Sequence, residues 1–293
     1  MQYIVLDLEW NGAFSHRAHG YFNEIIEIGA TRMSSAGEPL DGFEILIRPV
    51  VSRKLTSLVT DLTGIEQKEL RGGVSFAEAV RRLQEWIGEP EALLLTWSTT
   101  DLLVLLENCR YFLDTERIPF MTQYADAQAY AQSRMELENP GRQIGLSKAA
   151  ELLGISLCGM DMHRAEDDSR LTACILQRVW DAKSFAGRVK TADEEFYARL
   201  TFKNRIVSAE DDPLVKQEYL QFSCPSCGKP LRAKSRFRFF GHMLCADMVC
   251  NSCRQAYTAR VQVKEKYEGV TVKKRLTPKK PPEANTKEEA EHE

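Results

Sequence analysis

The chain opens on an apolar run, Tyr3-Ile4-Val5-Leu6, that closes in Asp7-Leu8-Glu9-Trp10. A bounded apolar run of this length reads as a buried strand. Side chains alternate along a strand, so Asp7 and Glu9 share one face with Tyr3 and Val5. Residues 24–33 and 43–47 read as second and third strands, and the turn residues Ser34, Gly37 and Pro39 between them predict an antiparallel meander. Residues 11–23, which mix aromatic, basic and histidine side chains, are expected to form a loop beside the Asp7/Glu9 face. Phe76, Val80, Leu83 and Ile87 mark a helical stripe, and residues 92–97 form the continuous apolar run of an inner strand.

Two later helices carry acids on their apolar faces. Asp101 precedes Leu105, Cys109 and Phe112 at helical intervals, so its carboxylate belongs to the buried stripe. An acid at a helix start is often only a cap, but Thr99 and Thr100 are better placed for capping. Asp168 shares a face with Leu171, Ile175 and Val179, with His163 just upstream. Helices are also expected over residues 125–135, 146–153 and 191–205. The predicted organisation is a body over residues 1–205, a linker over 206–222, a small module over 223–276 and a charged, disordered tail over 277–293.

Charge sharpens this division. The 293 residues carry a formal net charge of −3. Residues 224–280 hold 14 Lys/Arg against three acids, a net +11, which leaves −10 for the first 223 residues and −4 for the last 13. An acidic body with a basic appendage points to a polyanionic partner for the appendage. No run approaches the ~20 apolar residues that span a bilayer, and no basic n-region precedes the first strand. A cytoplasmic location without membrane attachment is therefore expected.

Five of the eight cysteines lie between Cys224 and Cys253. Cys224-Pro-Ser-Cys227 and Cys250-Asn-Ser-Cys253 have the spacing of two zinc knuckles around one tetrahedral ion, with a redox dithiol as the alternative. Cys245 is left over, and His242 is a weaker rival ligand. Between the knuckles, Arg236-Phe237-Arg238 alternates basic and aromatic residues. The pattern suits either contact with single-stranded nucleic acid or a strand whose Phe fills the core.

Two carboxylates at the end of an apolar strand repel each other and are costly to desolvate unless a cation sits between them. Hard oxygens favour magnesium or manganese; a strand end running into a solvated turn is the other reading. The ordered set of Asp7-x-Glu9, Glu24-Ile-Ile-Glu27-Ile-Gly29-Ala30, Asp101, and His163 followed five residues later by Asp168 resembles the DnaQ-like (DEDDh) exonucleases. Residues 97–101 and 145–155 are most similar to the small exoribonuclease branch that includes the histone-mRNA 3′-exonuclease type and KapD-like proteins. The resemblance implies an α/β, ribonuclease H-like mixed sheet flanked by helices, to which the cysteines add a C-terminal zinc ribbon. It further implies a 3′–5′ exonuclease with two Mg²⁺ or Mn²⁺ ions. Asp7, Glu9 and Asp168 would hold the ion that activates water, Asp7 with Asp101 would serve the second, and His163 would accept the water's proton. Single-stranded nucleic acid is the expected substrate, RNA ahead of DNA. Trp10 stands where many relatives have a small hydroxyl residue near the 3′ end, so it joins Arg236, Phe237 and Arg238 as a candidate nucleic-acid contact. The alternatives are a DNA exonuclease of repair or proofreading, and a non-catalytic zinc-ribbon adaptor.

Overall fold

A computed structural model describes residues 2–88, 92–137 and 141–279. The Asn139-Pro140 break and residues 280–293 of the expected tail lie outside the described residues, whereas Thr277 and Pro278, expected to begin that tail, end a strand paired with residues 257 and 258. The chain divides into two compact units, Met1–Thr201 and Phe202–Glu293.

The first unit is built on a mixed six-stranded sheet in the order β3-β2-β1-β4-β5-β6. Its strands are β1 (Gln2–Ser15), β2 (Gly20–Met33), β3 (Pro39–Leu46), β4 (Ala92–Thr96), β5 (Met121–Asp126) and β6 (Lys190–Thr191). The first three are antiparallel neighbours, as the short turn at residues 34–38 dictates, whereas β4 pairs parallel to β1 and β5 parallel to β4. Nine helices are found among the described residues of this unit: α1 (Ser57–Thr63), α2 (Gln67–Leu70), α3 (Phe76–Ile87), α4 (Thr100–Leu113), α5 (Ala127–Arg134), α6 (Leu146–Leu152), α7 (Ala165–Arg178), α8 (Ala182–Ala186) and α9 (Glu194–Thr201). Alternation in β1 and β4 splits the core into two layers. Ile4, Leu6, Leu8 and Leu94 face α3 and α4 through Val80, Leu83 and Leu105. Val5, Leu93 and Leu95 face α5, α7 and α8 through Tyr130, Ala173, Leu176 and Phe185. Every residue of β4 is buried, which is why its sequence is continuously apolar.

Two sequence expectations are corrected in the first unit. Residues 11–23 are not a loop: β1 and β2 run on as a hairpin to a turn at His16–His19, where His19 is left-handed (φ 53°). The polar composition misled because Asn11, though buried, is satisfied by its side-chain contacts with Ser52, Lys54 and Thr56. The start of the segment read as a helix over 125–135 is instead the end of β5, with Asp126 capping α5 through the Ala129 N–H at 2.8 Å.

The second unit contains β7 (Arg205–Ile206), α10 (Gln217–Leu220), β8 (Arg232–Ala233), β9 (Arg238–Phe240), β10 (Met243–Val249), β11 (Ala256–Lys266) and β12 (Gly269–Pro278). Its sheet runs β12-β11-β10-β8, with β9 also on β10 and β7 on β11. One face carries the core, in which Leu244, Met248, Tyr257, Val261 and Val263 pack with Val207 and Leu220. The stretch expected to be a linker thus supplies a strand, a helical turn and two core residues to this unit.

Among the described glycines, Gly29 in β2 has the least room for a side chain. A Cβ there would fall 1.9 Å from the Ala165 carbonyl carbon and 2.1 Å from the Glu166 nitrogen, at the start of α7. Backbone cannot yield as a flexible side chain can. Gly29→Ala is expected to cost about 3 kcal/mol or more of stability, read as a lowered denaturant midpoint.

Candidate active site

The site is assembled where β1, paired with β2, comes beside the start of α7. Asp7 lies opposite Gly29 and Glu9 opposite Glu27, and a β-bulge follows Glu9. Glu27 is fully buried. A buried carboxylate needs donors, and Glu27 takes them from one place. It accepts the Ala165 backbone N–H at 2.9 Å and the Arg164 guanidinium at 2.5 and 3.0 Å. This clamp fixes the first turn of α7 against β2, so that Asp168 is carried towards Glu9. His163 precedes the helix in the left-handed region (φ 67°), and its backbone N–H donates to Asp168 Oδ2 at 3.3 Å.

Ligand-type atoms of Glu9, His163 and Asp168 lie within 4.8 Å of one another. Asp168 Oδ1 is buried without a hydrogen-bond partner. Asp101 is buried at the start of α4. The helix start is not capped as expected: Thr99 makes no side-chain cap, and Ser98 Oγ instead accepts the Thr100 N–H at 3.2 Å.

The electrostatics follow from this crowding. Burial, then Asp101, Asp168 and Glu9, hold the Asp7 carboxyl well above its ordinary range. Glu9 is pushed up to about 8 by burial, Asp168, Glu27 and Asp101, against the opposing pull of Arg164. Burial lifts Asp101 to about 7, and it also raises Asp168, with His163 pulling the other way. Four acids that resist ionising together, one with an oxygen left unpaired, form a donor set of hard oxygens suited to divalent cations. The residues present fit such ions.

The sequence singled out Asp7, Glu9, Asp101, His163 and Asp168; it gave no role to Glu24 and Glu27. Glu24, also buried, accepts the N–H groups of Val50, Val51 and Ser52 at 2.6, 3.0 and 2.7 Å and so shapes the loop beside Asn11. The available signal was two glutamates inside an apolar strand, where each must find donors. Trp10 is half-buried against the main core.

In the second unit the sulfurs of Cys224, Cys227, Cys250 and Cys253 lie within 4.8 Å of one another. Each Cys-x-x-Cys turn ends in a left-handed residue, Gly228 (φ 73°) or Arg254 (φ 55°). Cys245 and His242 are outside this cluster. Phe237 is not available for nucleic acid, because it is buried in the second core; the arginines beside it, Arg236 and Arg238, are exposed. Phe237 stands just before β9 and packs into the core there, whereas Arg238 at the start of the strand faces out.

A family described as Exonuclease matches residues 4–176. A protein named "Probable 3'-5' exonuclease KapD" from Bacillus subtilis is 28% identical over 193 residues, covering 64% of this chain and 88% of that one. A PolC-type DNA polymerase III from Thermotoga maritima is 30% identical over 66% of this chain but only 13% of its own length. Among solved structures, the nuclease domain of 3'hExo, described as a DEDDh family member bound to rAMP, superposes with a TM-score of 0.52 at 21% identity. That superposition covers 66% of this chain and 96% of the domain.

The raised carboxyls fix the sign of a pH effect. Unfolded, Glu9 titrates near 4.5; folded and metal-free, it holds its proton to about 8. Its contribution to stability is therefore full below about 4.5 and lost as pH rises to about 8. In chelator, the thermal midpoint is expected to fall across this window, and Asp7→Asn is expected to flatten the fall. Magnesium or manganese is expected to raise the wild-type midpoint at pH 8 and to leave the variant nearly unmoved.

Proposed function

The chain belongs to the exonuclease family and is a divalent-metal-dependent 3′–5′ exonuclease of ribonuclease H-like fold, and from that premise we propose that it removes nucleoside 5′-monophosphates stepwise from single-stranded 3′ ends, RNA ahead of DNA. The observation that carries this reading is the convergence of Glu9, His163 and Asp168 beside two further raised acids, with one Asp168 oxygen unpartnered. Asp7, Glu9, Asp101 and Asp168 would hold two Mg²⁺ or Mn²⁺ ions. When bound, such a pair neutralises charge on the attacking and leaving oxygens and acidifies the attacking water.

The remaining work falls to the chain's own residues. His163 takes the proton of the attacking water, a role suited to imidazole at neutral pH. It stands outside α7, so its ring is aimed by the left-handed turn and not by the helix. Glu27 and Arg164 position that turn and Asp168 together. Trp10, next to the bulge after Glu9, is proposed to border the terminal nucleotide.

RNA is favoured because the structural neighbour carries rAMP and a mouse relative named ERI1 exoribonuclease 2 is 29% identical over 60% of this chain, though over only 28% of its own length. The polymerase similarity favours DNA as the second reading, but it covers a small part of that protein. The four thiolates are proposed to hold one structural zinc, which in so small a unit would add directly to folding stability.

Purified protein with magnesium is expected to shorten 5′-labelled single-stranded RNA in single-nucleotide steps, and matching DNA more slowly. Asp7→Ala is expected to abolish shortening, and His163→Ala to lower kcat by about 10²–10⁴. A DNA rate above the RNA rate overturns the RNA reading, and undiminished cleavage by Asp7→Ala overturns the assignment of the site. Metal analysis is expected to return one zinc per chain, lost in Cys250→Ser together with folding of the second unit.

A further inference from the structure

The second unit's sheet has a core face and an open face, and the two differ in chemistry. On the open face the registers align residues from four strands in a single row: Arg238 of β9 lies opposite Cys245 of β10, Cys245 opposite Arg260 of β11, and Arg260 opposite Arg275 of β12. In the adjoining row, Phe240 lies opposite Met243, and Lys273 follows on β12 opposite Gln262. Arg238 and Arg275 are exposed and Arg260 half-buried, while Phe240 is 79% exposed.

This arrangement is unfavourable in the isolated protein. Like charges directly opposite on neighbouring strands, with Cβ atoms about 5 Å apart, destabilise a sheet. Among the described residues, Arg238, Arg260, Arg275 and Lys273 have no carboxylate partner; Arg260 donates only to Thr277 Oγ1, at 3.3 Å. Asp247, an acid on the same face, is already paired with Lys279 at 2.6 Å. The small Cys245 leaves space between two of the guanidinium groups. An uncompensated row of three arginines matches a repeating anion, and a bare aromatic ring beside it matches an unpaired base. A duplex presents its phosphates but not the faces of its bases.

We propose that the open face of this sheet is a binding surface for single-stranded nucleic acid, with phosphates across Arg238, Arg260 and Arg275 and a base stacked on Phe240. The proposal rests on the nuclease reading for its choice of polyanion; it keeps Arg238 of the segment between the knuckles, sets Arg236 and Phe237 aside, and adds Phe240 with the arginines of β11 and β12.

The test uses the full chain carrying Asp7→Ala, so that the probe survives, and a fluorescein-labelled 20-nucleotide oligouridylate titrated by anisotropy across a salt series. Arg238→Gln/Arg260→Gln/Arg275→Gln is expected to weaken binding at least ~10-fold. Its slope of log affinity against log salt is expected to fall by about two, at ~0.7 per phosphate contact on a single strand. Phe240→Ala, at an exposed tip that leaves the fold intact, is expected to weaken binding ~10-fold. Lys203→Gln/Lys216→Gln/Lys229→Gln, which removes the same charge elsewhere in the unit, is expected to change it less than ~2-fold. Unchanged affinity and slope in the arginine variant overturn the proposal. So does an equal loss in the lysine variant, or tighter binding of polyglutamate than of the oligonucleotide. Hydrolysis of a dinucleotide by protein with Asp7 intact reads the catalytic site alone. Its absence sinks the nuclease reading, whereas normal dinucleotide hydrolysis with unaffected oligonucleotide binding sinks only the present one.

Discussion

One buried carboxylate holds the active-site half of the first unit together. Glu27 has no exposure of its own and takes its donors from Arg164 and the Ala165 N–H. Removing one member of such a pair strands the other, a loss of the order of 3–5 kcal/mol for fully buried pairs; the partial exposure of Arg164 reduces that figure here. The geometric effect outweighs the energetic one. The same contact decides where α7 begins, and so where His163 leaves the chain and where Asp168 enters the site. Gly29 completes the arrangement by letting the helix start rest on the strand backbone.

Asp7 and Glu9 lie on a strand paired with β2 at both positions and anchored to β4 just before them, over Gln2–Val5. They cannot relieve their mutual repulsion by moving apart, so relief comes from proton uptake or from cations. That tension is the sense in which the site is prepared for its ions: the fold accepts an unfavourable metal-free state and recovers the cost on binding. The chain's charge division has a parallel logic. An acidic body is poorly suited to attract a polyanion, and the basic residues are concentrated in the second unit.

Much of this was legible in the sequence because the responsible signals are local. The apolar run ending at Asp7 and Glu9, the helical spacing that turns Asp101 and Asp168 inward, and the two Cys-x-x-Cys turns each lie within a few residues. What escaped notice depends on pairing between distant segments. The hairpin through residues 11–23 looked like a loop because the partners that satisfy Asn11 lie some 40 residues away. Glu27 looked like an ordinary strand residue because its partners are 137 and 138 residues away. Phe237 belongs by sequence to one basic-aromatic stretch with its neighbours, although the fold buries it in the core and leaves Phe240 outside. The arginine row belongs to three strands and exists only once their register is known.

The outermost strand of the second unit has a consequence for solubility. β12 spans Gly269–Pro278 and closes its sheet with an open edge among the described residues. A long open edge invites pairing with a second copy, and natural proteins discourage this with charged edge residues. Lys273, Lys274 and Arg275 supply that repulsion here. Any polyanion or high salt that neutralises them also removes the barrier between two such edges. Crowding of copies along one bound strand would then favour edge-to-edge association, and the charges that keep the free protein dispersed would no longer do so in the complex.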